Sequence, residues 1–288
     1  MLTRQNVHDL VIIRYQRRDR RAARVLFERS YLTHAHLDWQ ERDHWLDTEP
    51  PLTWTAWHGT RMVGLLSMSE IMGSVSWVRL VAIDHDSDYS AIFNRLWQQA
   101  QPELRAAAVQ QVALLVLNDW IMPHAARNGF TRYDEVVTFR RETPFLPVPD
   151  PSPFRVRGMN AHELPTLIRI DQTTFIPPWQ MSSAEIRAAE RAAANVTVAV
   201  LDNDIIGYQI NTFFFDGAHL ARLAVLPQYQ GQGVGRALVY DMIARFARRG
   251  VYTITVNTQL SNIHSQNLYR RFAFARTGYD LPVWTLDL

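Results

Sequence analysis

Leu223-Ala-Val-Leu-Pro-Gln-Tyr-Gln-Gly-Gln-Gly-Val-Gly-Arg236 is the most informative stretch of this 288-residue chain. Its apolar half reads as a strand that ends at Pro227; a glycine-rich turn follows, and a helix begins near Gly233. Val234, Leu238, Val239, Met242, Ile243 and Phe246 recur at helical spacing as one apolar stripe, and Gly250 suits a C-terminal cap. Strand, glycine turn and helix N-terminus together make an anion site. Backbone N–H groups converge there, the helix dipole favours negative charge, and glycines let a phosphate approach closely. Two phosphate-binding readings fail on the residues themselves. A dinucleotide fingerprint needs a glycine where Arg236 stands, and a P-loop needs a lysine, of which the chain has none.

The stretch resembles the pyrophosphate-binding signature of the GNAT superfamily of acyl-CoA-dependent N-acyltransferases, Gln/Arg-x-x-Gly-x-Gly/Ala after a strand. Here it reads Gln230-Gly231-Gln232-Gly233-Val234-Gly235, preceded by the family-like Ala-Val-x-Pro of 224–227. A second segment of the family appears downstream as Asn262, Ser265, Leu268-Tyr269 and Ala273-Phe274. Serine for alanine and alanine for glycine are small-for-small departures that keep the packing logic. The resemblance covers 154–288 and, more loosely, 1–142. It implies an α/β (α+β) fold of mixed, mostly antiparallel sheet flanked by helices, with acetyl-CoA as co-substrate and no metal.

The resemblance also implies a division of labour. Backbone amides across 230–236, Arg236 included, hold the pyrophosphate. Leu223 and Val225 offer backbone groups to the thioester carbonyl and the pantetheine amides, an oxyanion-type role. Asn262 fits a helix N-cap that also touches the pantetheine arm. Tyr269 takes the position whose hydroxyl protonates the departing thiolate, or else packs against the cofactor. Several members carry a glutamate base near the start of this strand, close to the reacting thioester; the resemblance places His219 there. An imidazole near pH 7 can accept a proton directly or through water. Asp216 is a neighbouring alternative, better explained as a turn residue of Asp216-Gly217. Phe175 and Trp179, in Asp171-Gln-Thr-Thr-Phe-Ile-Pro-Pro-Trp179, resemble the substrate-facing loop of protein N-terminal acetyltransferases, with packing an equal role for Trp179.

Working outward, Pro144-Phe-Leu-Pro-Val-Pro-Asp-Pro-Ser-Pro153 has five prolines in ten residues and reads as an extended connector. It lies at mid-chain, and an internal repeat spans it at an offset of 143: Arg14 matches Arg157, Gly64 matches Gly207, and Arg79-Leu80 matches Arg222-Leu223. The expected organisation is a degenerate domain over 1–143, a linker over 144–153 and a cofactor-binding domain over 154–288. In the first copy the glycine loop is replaced by Asp84, Asp86 and Asp88, whose charge opposes pyrophosphate, and Tyr269 by Ala125. D-x-D-x-D opens an EF-hand loop, but Tyr89 and Arg95 replace its glycine and its glutamate, which excludes calcium. The tandem layout resembles that of mycothiol synthase and related two-domain acyltransferases. Trp39, Trp45, Trp54 and Trp57 are candidates to line an acceptor pocket, with core packing the default.

Composition narrows the chemistry. Zero cysteine excludes disulfides, thiolate metal sites and an acyl-cysteine route, so direct transfer within a ternary complex is expected. All thirty basic residues are arginine, which excludes a Schiff-base lysine. A net charge of +2, with arginine and acidic residues interspersed, argues against a nucleic-acid partner. Neither an 18-residue apolar run nor a signal peptide is present, so a cytoplasmic protein without a membrane partner is expected. The leading expectation is an N-acetyltransferase acting on a primary amine, a small molecule by preference because a second domain restricts access. The alternatives are a protein N-terminal or lysine acetyltransferase and a non-catalytic acyl-CoA-binding module. The residues leave the oligomeric state open.

Overall fold

A computed structural model describes residues 9–149, 152–214 and 217–288. Asp216 and part of the proline-rich stretch, Asp150 and Pro151, lie outside the described residues. Two compact units account for the rest.

The first unit runs to Tyr133 and includes Leu281–Leu288. Its strands are β1 (Leu10–Arg14), β2 (Thr33–Ala35), β3 (Thr53–His58), β4 (Arg61–Met68), β5 (Val75–Ile83) and β6 (Gln111–Leu115). The C-terminal end of β13 (Ala275–Asp287) closes it, pairing antiparallel with β6 from Val283↔Leu115 to Asp287↔Gln111. Helix α1 (Arg20–Arg29) packs its apolar stripe, Ala23, Leu26 and Phe27, on one sheet face against Leu65, Leu80 and Ala82. The larger core, under α3 (Tyr89–Ala106) and α4 (Met122–Arg127), holds Trp54, Leu66, Val81, Leu96 and Trp97. Helix α2 (Arg42–Asp47) buries Trp45 and Leu46. Trp45 and Trp54 are therefore core residues of their own unit, as apolar burial dictates.

The second unit is Asp134–Asp280. Its sheet runs β7 (Thr131–Glu142), β12 (Thr253–Gln259), β11 (Gly217–Val225), β10 (Asp204–Phe214), β9 (Asn195–Leu201) and β8 (Arg155–Gly158). Among the described residues β11 and β12 pair in parallel, while β7–β12, β11–β10, β10–β9 and β9–β8 pair antiparallel. Helices α7 (Val234–Ala247) and α8 (Ile263–Arg271) cover one face, with Val239, Met242, Phe246, Tyr269 and Phe272 over Phe139, Leu220 and Val256. Helices α5 (Leu164–Thr174) and α6 (Ser183–Ala192) pack together through Leu164, Ile168 and Ile186. They lie on the opposite face. Tyr208 reaches Asp171 of α5, while its neighbour Gln209 donates to the Leu238 carbonyl of α7, as strand alternation requires.

Both units are mixed sheets flanked by helices, and the repeat is visible element by element. Their limits depart from 143 and 154, because the closing strands change sides. Residues 134–142 complete the second unit, with Val256 opposite Phe139, and 281–287 complete the first. Pairing between distant strands decides this, and local sequence carries no record of it.

Candidate functional site

The site is built on β11. Residues Ala218, His219 and Leu220 lie opposite Ile254, Thr255 and Val256 of β12, and the parallel register ends there. Both strands continue, to Val225 and to Gln259, so they splay. A bulge sits at the same point. On the β10 side, Ile210 faces Arg222 and Asn211 faces Leu220, which leaves Ala221 unmatched and bends β11. Leu226 N donates to Ile206 O, on the β10 side. Antiparallel alternation then turns the amides and carbonyls of Leu223 and Val225 toward the splay. Among the described residues no strand covers that edge.

Beyond the edge comes the glycine turn. Gln230 Nε2 returns to Val225 O at 2.9 Å and ties the turn to the strand, and Gln232 Nε2 donates to Gln228 O at 2.8 Å. Gly231 and Gly233 adopt φ of +75° and +96°, left-handed values that an L side chain strains to reach. Gly233 caps α7, so the N–H groups of Val234, Gly235 and Arg236 open its first turn. Gly235 allows α8 to approach: a Cβ there would stand 3.2 Å from Leu268 Cδ2. Beside the turn, a cavity of about 280 Å³ is lined by Phe154, Gln232, Gly233, Arg236 and Tyr240. The residues fit an extended thioester cofactor: an uncovered strand edge for amide pairing leads into a positively polarised helix start.

Asn262 caps α8, its Oδ1 accepting from Ser265 N at 3.1 Å. Tyr269 is buried in α8, its ring against Phe139 and Phe274. Burial pushes its phenol well above the ordinary value, so it stays protonated at neutral pH.

His219 lies on the other face, because its neighbours Ala218 and Leu220 point into the core that contains Tyr269. The structure therefore does not bring His219 and Tyr269 side by side. His219 Nδ1 is 2.8 Å from Thr255 Oγ1. With the hydroxyl proton directed to Ala218 O, Thr255 accepts from Nδ1–H and the lone pair is left on Nε2. Burial lowers this imidazole to about 4. It is neutral at pH 7 and less basic than the expectation of a group titrating near neutrality.

Phe175 and Trp179 belong to the loop after α5. The Arg222 guanidinium lies 3.5 Å from the centre of the Phe175 ring and donates to Trp179 O at 2.8 Å. Asp171, fully buried, takes the same guanidinium through Nε at 2.7 Å and Nη2 at 2.9 Å. In the sequence Arg222 stands out only as the repeat partner of Arg79. Its signal was an arginine inside the apolar run Leu220-Ala-Arg-Leu-Ala-Val225, since a charge in a buried strand needs a partner.

The first unit lacks this arrangement for a reason the residues alone did not reveal. Its β5–β6 pairing also stops early, at Trp77↔Ala113. The exposed edge is then covered by β2, with Thr33, His34 and Ala35 opposite Ala82, Val81 and Leu80. Positions 80–82 correspond to 223–225 in the repeat, so the edge left open in the second unit is filled by the chain in the first. The acidic residues are also not bare. Arg29 Nε and Arg61 Nε reach Asp84 at 2.9 and 3.0 Å, and Arg29 reaches Asp86 at 2.8 Å. Burial opposes ionisation of Asp84, yet the Arg61 guanidinium and the Asp86 amide hold its carboxyl below the usual range. Strand coverage closes this edge, and Arg29 and Arg61 offset part of the like charge expected at the loop position 84–88. Asp84, His85 and Asp86 also group closely enough to hold a metal ion, though those arginines occupy the two carboxylates.

A splayed strand pair leading to a glycine turn at a helix start is consistent with the acyl-CoA-dependent acyltransferases that the sequence resembles. The model of the acetyltransferase (GNAT) family matches residues 164–274. The [ribosomal protein bS18]-alanine N-acetyltransferase of Haemophilus influenzae is 30% identical over 119 residues, 41% of this chain and 80% of that protein. Its counterpart from Escherichia coli K12 is 28% identical over 120 residues, 41% and 79% of the two chains. Among solved structures, a tandem GNAT protein from the clavulanic acid biosynthesis pathway aligns over 96% of this chain and 98% of its own, with a TM-score of 0.63 and 16% identity. A GCN5-related N-acetyltransferase from Sphaerobacter thermophilus aligns over 99% and 97%, with a TM-score of 0.61 and 12% identity. The chain belongs to the GNAT family and is an N-acetyltransferase, in a family that uses acetyl-CoA as co-substrate. The family model does not extend over the first half. Among the described residues no helix is long and apolar enough to cross a membrane.

Proposed function

We propose that the second unit transfers acetyl from acetyl-CoA to the α-amine of a protein N-terminus, directly and in a ternary complex. The observation that carries the transfer is the uncovered Leu223–Val225 edge running into the Gly231–Gly233 turn. The acceptor class follows the relatives, which are named for acetylating alanine of a ribosomal protein. This reverses the preference for a small-molecule amine drawn from the sequence.

When bound, acetyl-CoA supplies an activated acetyl group. The N–H groups of Gly231 to Arg236 hold its pyrophosphate against the positive end of α7. Leu223 N–H is aimed at the charge that develops on the carbonyl during transfer, and Val225 and Asn262 keep the pantetheine arm extended. Tyr269 Oη holds the proton for the leaving sulfur. His219 Nε2, neutral at pH 7, takes a proton from the attacking amine through water; with its value near 4 it does so weakly, and the amine must arrive largely deprotonated. Phe175 and Trp179 stand on the acceptor side. Cofactor and reaction, in this reading, involve the second unit alone.

The test is a panel of peptides differing in their first residue, incubated with acetyl-CoA and read by a thiol reagent that titrates released CoA. A chain without cysteine adds no background, and one without lysine adds no side-chain amine of its own. Release with N-terminal peptides, absent when their α-amine is blocked, is the expected result. Release only with small amines would overturn the acceptor, and no binding of acetyl-CoA would overturn the enzyme.

A further inference from the structure

Asp171 gathers donors from three elements. Tyr208 Oη of β10 reaches Oδ2 at 2.6 Å, Arg222 of β11 grips both oxygens, and Met181 N, at the far end of the loop, reaches Oδ1 at 3.3 Å. The remaining reach of the guanidinium also goes to the loop, through Trp179 O and the Phe175 ring. Removing two charges from water is costly, and an apolar pair of equal volume would hold a helix to a sheet as well. What the ion pair adds is direction: a planar fork on a carboxylate fixes angle as well as distance. The parts so fixed are the 175–181 loop and the strand segment between the Ala221 bulge and Leu223.

We infer that Arg222 and Asp171 are positioning residues for the acceptor, holding the 175–181 loop at a set angle to the transfer strand and so selecting which amine reaches its open edge. The inference rests on the acyl transfer proposed above and adds the residues that set its selectivity. Neither residue touches the reacting atoms. Arg222 points to the α5 face, whereas the cofactor edge is made by main-chain groups of Leu223 and Val225.

Two conservative variants of the full chain test it. Asp171→Asn keeps shape and the acceptor for Tyr208 but cannot receive the arginine fork. Arg222→Lys keeps charge but has neither the fork nor the stack on Phe175. In each, the acceptor-peptide KM is expected to rise at least about tenfold while the acetyl-CoA KM stays within about twofold, the split expected when acceptor alignment alone is lost. Amide hydrogen exchange is expected to accelerate at 175–181 and to stay unchanged at 230–236. Unchanged exchange at 175–181, an unchanged acceptor KM, or both KM values rising together would each overturn the inference. Should either variant fail to fold, Phe175→Leu, which leaves the ion pair in place, is expected to raise the acceptor KM about threefold; no rise would count against it. If the wild-type chain transfers nothing to any peptide, the proposed function fails, whereas the exchange comparison still decides whether the pair holds the loop.

Discussion

Leu220 and Val256 form the last rung between β11 and β12. Before that rung the strands share a parallel ladder; after it, the edge of β11 is uncovered and meets the glycine turn. The bulge at Ala221 falls at the same place, which is where a bent strand can leave its neighbour.

Tyr269→Phe tests the proposed proton donor. The phenol is protonated across the neutral range, and its ring packs against Phe139 and Phe274 with or without the hydroxyl. We expect kcat to fall by roughly 10² to 10³ with the acetyl-CoA Kd unchanged, measured by steady-state kinetics and calorimetry. Undiminished kcat would remove Tyr269 from the proton pathway.

Gly233→Glu places a side chain at φ +96° and a negative charge at the start of α7. Acetyl-CoA binding should be lost, with no residual second site, since β2 covers the corresponding edge in the first unit. Calorimetry on the wild-type chain should accordingly give one acetyl-CoA per chain. A stoichiometry of two would mean that Thr33–Ala35 moves aside.

The exchange of closing strands predicts where the chain can be cut. Residues 154–288 expressed alone lack β7, so Val137 and Phe139 leave the core and one edge of β12 is bared. An exposed edge strand invites aggregation. Residues 134–280 retain that strand and should be soluble and bind acetyl-CoA. Sedimentation and calorimetry on the two fragments check this; a well-behaved 154–288 fragment would contradict it.

Acid should destabilise the fold through buried neutral histidines. Burial lowers His34, 1% exposed, from 6.5 to about 3. Below pH 6.5 the unfolded chain therefore binds a proton that the native state refuses, and stability falls as pH falls, until about pH 3. The slope from this one group is about 1.4 kcal/mol per pH unit. His34→Gln should remove it, seen as a flatter dependence of the urea midpoint between pH 6 and 4 than in the wild type. Parallel curves would show that His34 does not titrate on unfolding.

For the transfer itself, the neutral state of His219 has a kinetic counterpart. With the imidazole near 4, an acidic limb in kcat/KM from His219 lies around pH 4 rather than 6.5. His219→Gln should remove that limb and leave the titration of the amine. A limb at 6.5 that His219→Gln abolishes would mean the ring is less buried in the working enzyme.

Much of the site was legible in the residues because its signals are local. Positive φ calls for glycine at 231 and 233, an oxygen at Asn262 caps the next amides, and an apolar stripe at 3.6 spacing makes α7. These needs are met within a few residues, so the sequence by itself determined the turn, both helices and the tandem repeat. The tertiary structure decided everything that depends on partners far along the chain. It moved 134–142 and 281–288 to different units, put Thr33–Ala35 on the strand edge of the first copy, and turned His219 away from Tyr269. It also joined Arg222 to Asp171, 51 positions away. Residues 144–149 carry no helix or strand, but the sheet that the preceding strand joins is set by the core it completes. Strand pairing and buried ion pairs are chosen by packing over the whole fold, and no window of sequence contains that choice.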